Sequence, residues 1–537
     1  MKKIIHALLF IVSCTIVFQG CTKEDEVFED PYGGGKPPLG VRINRDTPPV
    51  PAEGGVGTEV TISVTGLLLY KDDVKFMFNG QEAEILSITE NNIKVKVPDY
   101  ASSGITSIAI GEQLVIGPKF NVAGLINVDP SWAARVGANG VVNQYYELQD
   151  GRYLLVGGFT NYDNKGIVSP LNRIVKISPH GDLDRSFRTG RAANGTLNQV
   201  IEIDNKFIIA GGFSGYGQRT ENISNITSLN SNGTVDTMGI HTYRRPDQTD
   251  TIKYFPKFNG GTNSGIGKIY NVNGKVLATG NFRYYVSRRY DQPNYDERKD
   301  TVILDSIEMR QIVRMNSDGS LDKTYRFDQA SGKGPAGANG PINSFMHTDG
   351  VNAQKLVVYG SFTTFDGVSA GRIVRLNPDG TIDPSFNSGA GANNNITSLT
   401  YNEGLQKYVV TGQFTSYNGH ATAGIAVINL DGSADKTFTA RAIVGGYASF
   451  AKQLNDGLIV VSGGFKTYNS ITRSGFMVLS SAGELAPNYN STGVFSGNLR
   501  DVIETESADG KRALLLIGSF NRFDNQEVNN IIRVTIE

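Results

Sequence analysis

The sequence has 537 residues but only two cysteines, Cys14 and Cys21, and both lie near its start. No intrachain disulfide can therefore form downstream of Cys21. Long hydrophobic runs are equally scarce: after Ile4 to Phe18, no stretch approaches the ~20 apolar residues that a membrane-spanning helix requires. The formal net charge of −1 offers no basic field for nucleic acid. These absences leave a large chain, rich in glycine, without nucleic-acid-binding character.

Recognisable catalytic chemistry is also sparse. Past the N-terminal segment there are four histidines, and none stands at a metal-ligand spacing: His180, His241, His347 and His420. No Gly-x-Ser-x-Gly turn and no phosphate-binding loop occurs. The sequence therefore predicts neither a metal nor a cofactor. It names no catalytic residue, and it favours a role other than enzyme without deciding the matter.

The N-terminal segment has the pattern of an export signal. Lys2 and Lys3 precede the apolar run, and a small residue precedes Cys21. Residues 18–21, Phe-Gln-Gly-Cys, resemble a bacterial lipobox. Cys14 fits that pattern as well, but cleavage there would leave a very short apolar region, so Cys21 is the preferred lipid-attachment site. The acidic residues 22–26 resemble the export signal of Bacteroidetes-type surface lipoproteins. This resemblance implies a signal peptide over 1–20, a palmitate-type anchor in the outer membrane facing the medium, and a flexible tether over 21–38.

Residues 39–122 form a different unit. Short alternating apolar segments such as Val74 to Phe78 and Ile93 to Val97 are separated by glycine turns, which predicts a small β-sandwich. The order of these segments resembles the IPT/TIG immunoglobulin-like domain. That resemblance implies a spacer rather than a catalytic unit.

The remaining residues, 125–537, contain a repeat of four predicted strands. Its Gly-x-Phe element recurs 51 to 55 residues apart wherever no insertion intervenes, at Phe159, Phe213, Phe282, Phe362, Phe414, Phe465 and Phe520. Asp-Gly or Asn-Gly turns follow the third strand, as expected for tight hairpins. A period of this length predicts a β-propeller, here with seven blades. The repeat resembles the delta-sixty family of secreted bacterial proteins. The predicted fold class is all-β: an Ig-like sandwich followed by a propeller.

The ends of the repeat region predict how the ring closes. The seventh copy stops after its third strand, and the missing fourth strand matches the segment from Val128 to Trp132 at the front. An N-terminal strand that completes the last blade would leave no open sheet edge. We therefore interpret Trp132, the single tryptophan, as blade core rather than as a ligand platform.

Two repeated features invite a functional interpretation. An aspartate recurs in five blades at Asp184, Asp236, Asp322, Asp383 and Asp435, and its recurrence favours a structural role in the turns. An aromatic residue followed by Asp or Asn recurs at Tyr162, Phe365, Tyr417, Tyr468 and Phe523. Such pairs suit sugar recognition, but we prefer the alternative that these aromatics fill gaps between blades.

Two long insertions surround the third blade, over 237–263 and 283–310, and both are rich in tyrosine and arginine, the residues enriched at binding hot spots. The topology places them side by side on one face, opposite the Asp-Gly turns through which the sandwich connects. They would then point away from the membrane, or simply pack on each other without a ligand. The predicted ligand contacts are Tyr243, Tyr254, Tyr284, Tyr285, Arg288, Arg289 and Tyr290.

The sequence thus predicts a surface lipoprotein that captures an extracellular ligand, with a glycan preferred. The alternatives are a carbohydrate-active propeller enzyme and a structural or adhesive scaffold for another surface protein.

The anchor can be tested directly. Replacing Cys21→Ala should abolish lipid attachment and release the protein from the outer membrane, because no other residue would carry the acyl chains. Labelled fatty acid and membrane fractionation measure this. Retention of both the label and the anchoring would instead favour Cys14.

Overall fold

A computed structural model describes residues 37–187, 189–219, 221–241, 252–294 and 299–537. Within these ranges all regular structure is β-strand except two one-turn 3-10 helices, Leu68–Tyr70 and Gly350–Asn352, so the predicted all-β class is confirmed. No helix in the described ranges has the length and apolar character needed to span a bilayer. Cys21 and Tyr243 lie outside the described residues.

The first unit is a strongly curved sheet wrapped around one core. Its buried side chains include Ile62, Phe76, Phe78, Ile93 and Phe120, which come from strands on both sides of the unit. Alternation of buried and less buried residues in Glu59–Thr65 and Val74–Phe78 directs one face of these strands inward. The eight strands are Arg42–Ile43, Glu53–Gly54, Glu59–Thr65, Val74–Phe78, Gln81–Ile88, Asn92–Lys96, Gly104–Ile110 and Gln113–Val122.

Seven antiparallel sheets follow, one for each copy of the repeat, and each forms one blade. Each sheet has an innermost, a second and a third strand. In chain order these strands are Val142–Glu147, Tyr153–Gly157 and Ile174–Ile177; Thr196–Ile203, Lys206–Gly212 and Ile226–Leu229; Ile266–Val272, Lys275–Gly280 and Ile312–Met315; Ile342–Met346, Leu356–Gly360 and Ile373–Leu376; Ile396–Asn402, Lys407–Gly412 and Ile425–Asn429; Ala448–Gln453, Ile459–Gly463 and Phe476–Leu479; Ser496–Glu506, Arg512–Phe523 and Ile531–Ile536.

The predicted fourth strand is much reduced in blades one to six. It pairs with the third strand through one bridge per blade, such as Leu376 with Ile382. The recurring aspartate follows this short strand directly and holds it in place through hydrogen bonds. In blade four, Asp383 accepts hydrogen bonds from Ser385 N at 2.9 Å and from Ser385 Oγ at 2.7 Å, and its other oxygen accepts from Lys355 at 2.8 Å and Arg375 at 2.7 Å.

This arrangement explains why the aspartates recur. Burial alone would raise the pKa of Asp383, but the hydrogen bonds from Lys355, Ser385 and Arg375 outweigh it and hold the pKa well below its ordinary value. Asp322 has the same surroundings in blade three, with Lys275 and Arg314 as its cations. The aspartates are therefore charged anchors for the outer part of the five blades that carry them, which favours a structural over a catalytic role.

Blade seven obtains its fourth strand from the start of the repeat region. Ile126–Val128 pairs antiparallel with Val534 to Ile536. Asp129 then binds the buried guanidinium of Arg533, which also donates to Pro179 O and Ser131 Oγ. The guanidinium lies 5.1 Å from the ring centre of Trp132, which is 3% exposed. The N-terminal strand therefore fills the last place of the ring, and Trp132 belongs to the core.

The first unit, for which a sandwich is predicted, contacts the propeller at blades six and seven. Arg473 donates to Tyr100 O at 2.9 Å, Ser103 N donates to Ser491 O at 2.8 Å, and Asn525 donates to Ser103 O at 3.1 Å. Arg473 is buried by this contact, and burial lowers its pKa to about 10. The three propeller residues belong to loops between second and third strands or to the crossover between two blades.

The expected placement of the sandwich opposite the insertions is therefore wrong. Loops of these two kinds share one face of the ring, here called the crossover face, and the two insertions belong to the same kinds of loop. The connector explains the difference. After Val122 the chain runs along the edge of blade six, where Leu125 N donates to Asn488 O at 3.0 Å, before it turns into blade seven. The closing strand therefore starts beside the crossover from blade six to blade seven, which also contacts the first unit, and not on a separate face.

The buried ion pair at the closure gives a stability prediction. Arg533→Ala should lower the free energy of unfolding by about 3–5 kcal/mol, because it leaves the Asp129 carboxylate buried without its cation. Urea denaturation followed by fluorescence measures the change.

Lys511→Ala is the matched control, since it removes an exposed ion pair from the same blade, with Lys511 3.3 Å from Glu537. That loss should cost only about 0–1 kcal/mol. Equal effects of the two substitutions would show that the closure pair does not hold the ring.

Candidate functional site

The two insertions fold into one raised unit, here called the blade-three ridge. It consists of the hairpin Thr237–His241 with Ile252–Pro256 and the hairpin Tyr284–Asn294 with Lys299–Glu308. The first hairpin belongs to the crossover from blade two and the second joins the second and third strands of blade three. Both therefore stand on the crossover face, as the topology predicts.

The two hairpins are fastened to each other. Phe255 of the first stacks on Tyr290 of the second, with ring centres 4.3 Å apart and planes 16° from parallel. Just after the first hairpin, the Asn259 side chain bonds both backbone groups of Arg288. The Arg288 guanidinium donates to Ser224 Oγ in blade two at 2.8 Å. The ridge is thus a rigid platform held to two blades.

This packing separates the predicted contact residues into two groups. Tyr285 and Tyr290 are 3% and 5% exposed, so neither offers a ring face to a ligand. Arg288 is half-buried and held in place, and burial lowers its pKa. Burial thus argues for structural roles for Tyr285, Tyr290 and Arg288.

The second group remains accessible. Tyr254 is 60% exposed, and Tyr284 is half-buried beneath the guanidinium of Arg283, which lies 5.4 Å from its ring centre. Arg289 is exposed and pairs with Asp305 at 2.8 Å. These three residues stay candidates for contact with a ligand.

Tyr285 belongs to a structural series that the sequence shows only in part. In five blades a tyrosine near the end of the second strand is buried and donates its hydroxyl to the carbonyl of the glycine in the Asp-Gly-type turn: Tyr162 to Gly181, Tyr216 to Gly233, Tyr285 to Gly319, Tyr417 to Gly432 and Tyr468 to Gly483. Burial raises the pKa of Tyr468 to about 12, as expected for a phenol held away from water.

Blade four achieves the same bond in another way. Phe365 has no hydroxyl, and Arg326, whose guanidinium lies 5.0 Å from the Phe365 ring centre, donates to Gly380 O at 2.8 Å instead. Phe523 of blade seven is fully buried as well. The short aromatic turns therefore tie strands to turns within the ring, and their rings are not available for stacking on sugars.

A second site lies in the middle of the ring. A cavity of about 320 Å³ is lined by the innermost strands of all seven blades and is here called the central channel. Its lining residues include Asn143, Asn343, Thr397 and Ser449, which follow directly after the starts of those strands, so the cavity reaches the end of the channel at the crossover face. No sequence motif marks this site, because its residues come from seven separate repeats.

The channel wall has a recurring irregularity. Six of the seven innermost strands contain a bulge at the same place in the repeat, at Asn143, Asn198, Gly267, Thr397, Ser449 and Arg500. Four of these side chains link neighbouring blades: Asn143 bonds Asn198 at 3.1 Å, Asn198 bonds Ile266 O at 2.8 Å, Thr397 bonds Ser449 O at 3.3 Å, and Ser449 bonds Asn498 at 2.6 Å. The bulges thus direct polar side chains into hydrogen bonds between neighbouring blades, which form a polar belt around the channel.

No cluster of metal-binding side chains exists among the residues described. His347, the most buried of the described histidines, shares a hydrogen bond of 2.5 Å with the Tyr408 hydroxyl, and burial lowers its pKa to about 4. It is therefore an uncharged core group at neutral pH.

Two known families are similar to parts of this chain. A family described as "Domain of unknown function (DUF5122) beta-propeller" matches residues 355–386 and 407–438, which lie in blades four and five. The β-propeller architecture is thereby confirmed. A second family, described as "Domain of unknown function (DUF5008)", matches residues 13–118. No curated protein matches the chain.

Several solved structures are similar at low identity. The WD40 β-propeller domain of Doa1 is 12% identical, with 76% of this chain and 96% of that chain covered and a TM-score of 0.38. An auxiliary nutrient binding protein from Bacteroides thetaiotaomicron is 10% identical, with 68% and 96% covered and a TM-score of 0.21. At these TM-scores the likenesses carry no argument about function.

The tyrosine series gives a prediction that separates structure from binding. Tyr285→Phe should lower the free energy of unfolding by about 1 kcal/mol, because it removes the hydroxyl that bonds Gly319 O. The substitution should leave ligand binding unchanged, since the ring stays buried. Tyr417→Phe should do the same in blade five, and urea denaturation measures both. A loss of binding with unchanged stability would instead make Tyr285 a contact residue.

Proposed function

We propose that this protein is a lipid-anchored cell-surface receptor that captures an extracellular ligand, preferably a glycan, on its crossover face. The blade-three ridge is the observation that carries this proposal. In the described part of the ring, the aromatic and acidic residues that recur from blade to blade are used for internal contacts. Among the described residues, no other loop on the crossover face has hairpins as long as those of the ridge, and the exposed Tyr254 stands next to the Phe255 that stacks on Tyr290.

The arrangement suits recognition of a sugar. An exposed tyrosine provides an apolar face for a sugar ring, and the exposed guanidinium groups of Arg283 and Arg289 at the second hairpin, which pair with Glu308 and Asp305, carry further donors for hydroxyls. A rigid platform also reduces the entropy that binding would otherwise cost. The fastening of the two hairpins by Phe255 and Tyr290 supports this reading.

The channel favours binding over catalysis at this face. Hydrolysis of a glycosidic bond ordinarily uses two carboxyl groups on opposite sides of the bond. The channel lining contains one carboxylate, that of Asp501, and Lys452 already holds it at 2.8 Å. A carbohydrate-active enzyme would therefore need carboxylates outside the channel.

One observation favours a different partner. Val302 and Leu304 of the ridge are 40% and 58% exposed, and exposed aliphatic side chains close together are typical of protein-docking surfaces. The second candidate function is therefore attachment of another surface protein at the ridge.

A glycan array probed with the full chain tests the first candidate. Tyr254→Ala should weaken binding of an array-identified glycan by roughly thirtyfold, the value expected for loss of an aromatic anchor worth about 2 kcal/mol. Titration calorimetry measures the affinity.

Tyr447→Ala is the matched control, since Tyr447 is a 40% exposed tyrosine in the crossover between blades five and six, away from the ridge. It should leave the affinity unchanged. A loss of affinity in Tyr447→Ala but not in Tyr254→Ala would place the site among the short loops. An array without any binder would favour the protein-docking alternative.

A further inference from the structure

The central channel carries a charge pattern that its polar belt does not explain. The lining contains three cations, Lys268, Lys452 and Arg500, and one anion, Asp501. These give the lining a formal charge of about +2 near neutral pH. The chain as a whole has a formal net charge of −1, so this positive charge is local to the cavity, where an anion would be stabilised.

The ion pairs within the channel leave two of these cations unmatched. Lys452 takes the Asp501 carboxylate at 2.8 Å. In the part of the chain that the structure describes, Lys268 Nζ and the Arg500 guanidinium make no hydrogen bond and no ion pair. Both nevertheless face the same cavity and influence each other. Burial lowers the pKa of Lys268, the Asp501 charge opposes this, and the Arg500 charge adds to it.

The two positions are irregular within the repeat. Four bulged residues use their polar side chains to hydrogen-bond the neighbouring blade: Asn143, Asn198, Thr397 and Ser449. Arg500 occupies the equivalent bulge in blade seven and makes no such bond. Lys268 follows the bulge of blade three, where blades one and two have Gln144 and Gln199. The bulges therefore set two cations, from blades three and seven, into a ring otherwise built of amides and hydroxyls.

The surroundings limit what could neutralise them. The cavity of about 320 Å³ is near the lower end of the ~300–1,000 Å³ typical of small-molecule sites. Tyr270 and Tyr359 line it together with the hydroxyls of Ser344 and Ser398. A guanidinium binds a carboxylate through two parallel hydrogen bonds, and a partly desolvated ammonium adds a point charge. A carboxylate carried on a hydroxylated ring fits both the charge and the polar wall.

We propose that the central channel is a subsite for the carboxylate of an acidic sugar, with Arg500 and Lys268 as its ligands. The proposal rests on the proposed function, because it assigns the charged residue of a captured glycan to the mouth of the channel on the same face. It specifies the class of ligand: glycans that contain uronic or sialic acid rather than neutral glycans.

The test is an NMR titration of the full chain with glucuronate, galacturonate and N-acetylneuraminate, each beside its methyl ester. The ester keeps the shape and removes the charge. At least one acid should bind about tenfold more tightly than its ester. Arg500→Gln and Lys268→Gln should each reduce the affinity for that acid by about tenfold and leave the affinity for the ester unchanged.

Arg522→Gln is the control, because Arg522 is an exposed arginine of the same blade outside the channel lining. It should change neither affinity, and unchanged melting temperatures should show that all three variants fold. Equal binding of acid and ester, failure of all three acids to bind, or full affinity in the Arg500→Gln variant would overturn the proposal.

The outcomes also separate this proposal from the capture function. Glycan binding that Tyr254→Ala abolishes, but that is indifferent to carboxylates, would reject the channel subsite and keep the ridge. Acid binding that depends on Arg500 and not on Tyr254 would support the channel subsite and would reject the ridge as the capture site.

Discussion

The buried contact between Asp129 and Arg533 joins residues separated by 404 positions, and the ring depends on it. A propeller that ends on a third strand exposes an edge in its last blade, and open sheet edges invite non-native pairing. The strand Ile126–Val128 covers that edge, and the ion pair with its turn fixes the register. Because the guanidinium of Arg533 also bonds Pro179 O in blade one, the same contact fastens the last blade to the first.

The closure is one instance of an arrangement used in other blades. An aspartate after the reduced fourth strand caps its own turn and binds cations from the second and third strands, as Asp322 and Asp383 do. Buried tyrosines tie the second strands to the turns in the same repetitive way. Residues that recur are consequently occupied within the ring. Specific function must then come from residues that do not recur, which are concentrated in the ridge around blade three and at two positions of the channel wall.

The sequence predicts the parts of this structure that depend on local patterns. Alternation, turn residues and a fixed period mark the strands, and the displaced Asp-Pro-Ser-Trp segment marks the closing strand. Burial of Tyr285 and Tyr290 could not be predicted in this way, because it depends on stacking against Phe255 and on a carbonyl from another loop. The placement of the first unit was predicted wrongly, because the closing strand starts directly after Leu125, beside the crossover from blade six to blade seven, and not on an opposite face.

The charged pair in the channel was also missed, although a signal exists. When the innermost strands are aligned by their first apolar residue, the next position reads Asn143, Asn198, Gly267, Asn343, Thr397, Ser449 and Arg500, so one charged residue stands out. Lys268 is likewise distinct at the following position. Only the closed ring brings these two side chains, from blades three and seven, to one cavity.

The most direct test of the account is hydrogen–deuterium exchange of the full chain with and without the tightest-binding glycan from an array. We expect protection in the ridge, over residues 252–256 and 284–290, and at the starts of the innermost strands around the channel. The turns between first and second strands, which lie at the other end of the innermost strands, should exchange at unchanged rates. Protection confined to those turns, or to the sandwich, would contradict the claim that the non-repeated residues of the crossover face form the binding site.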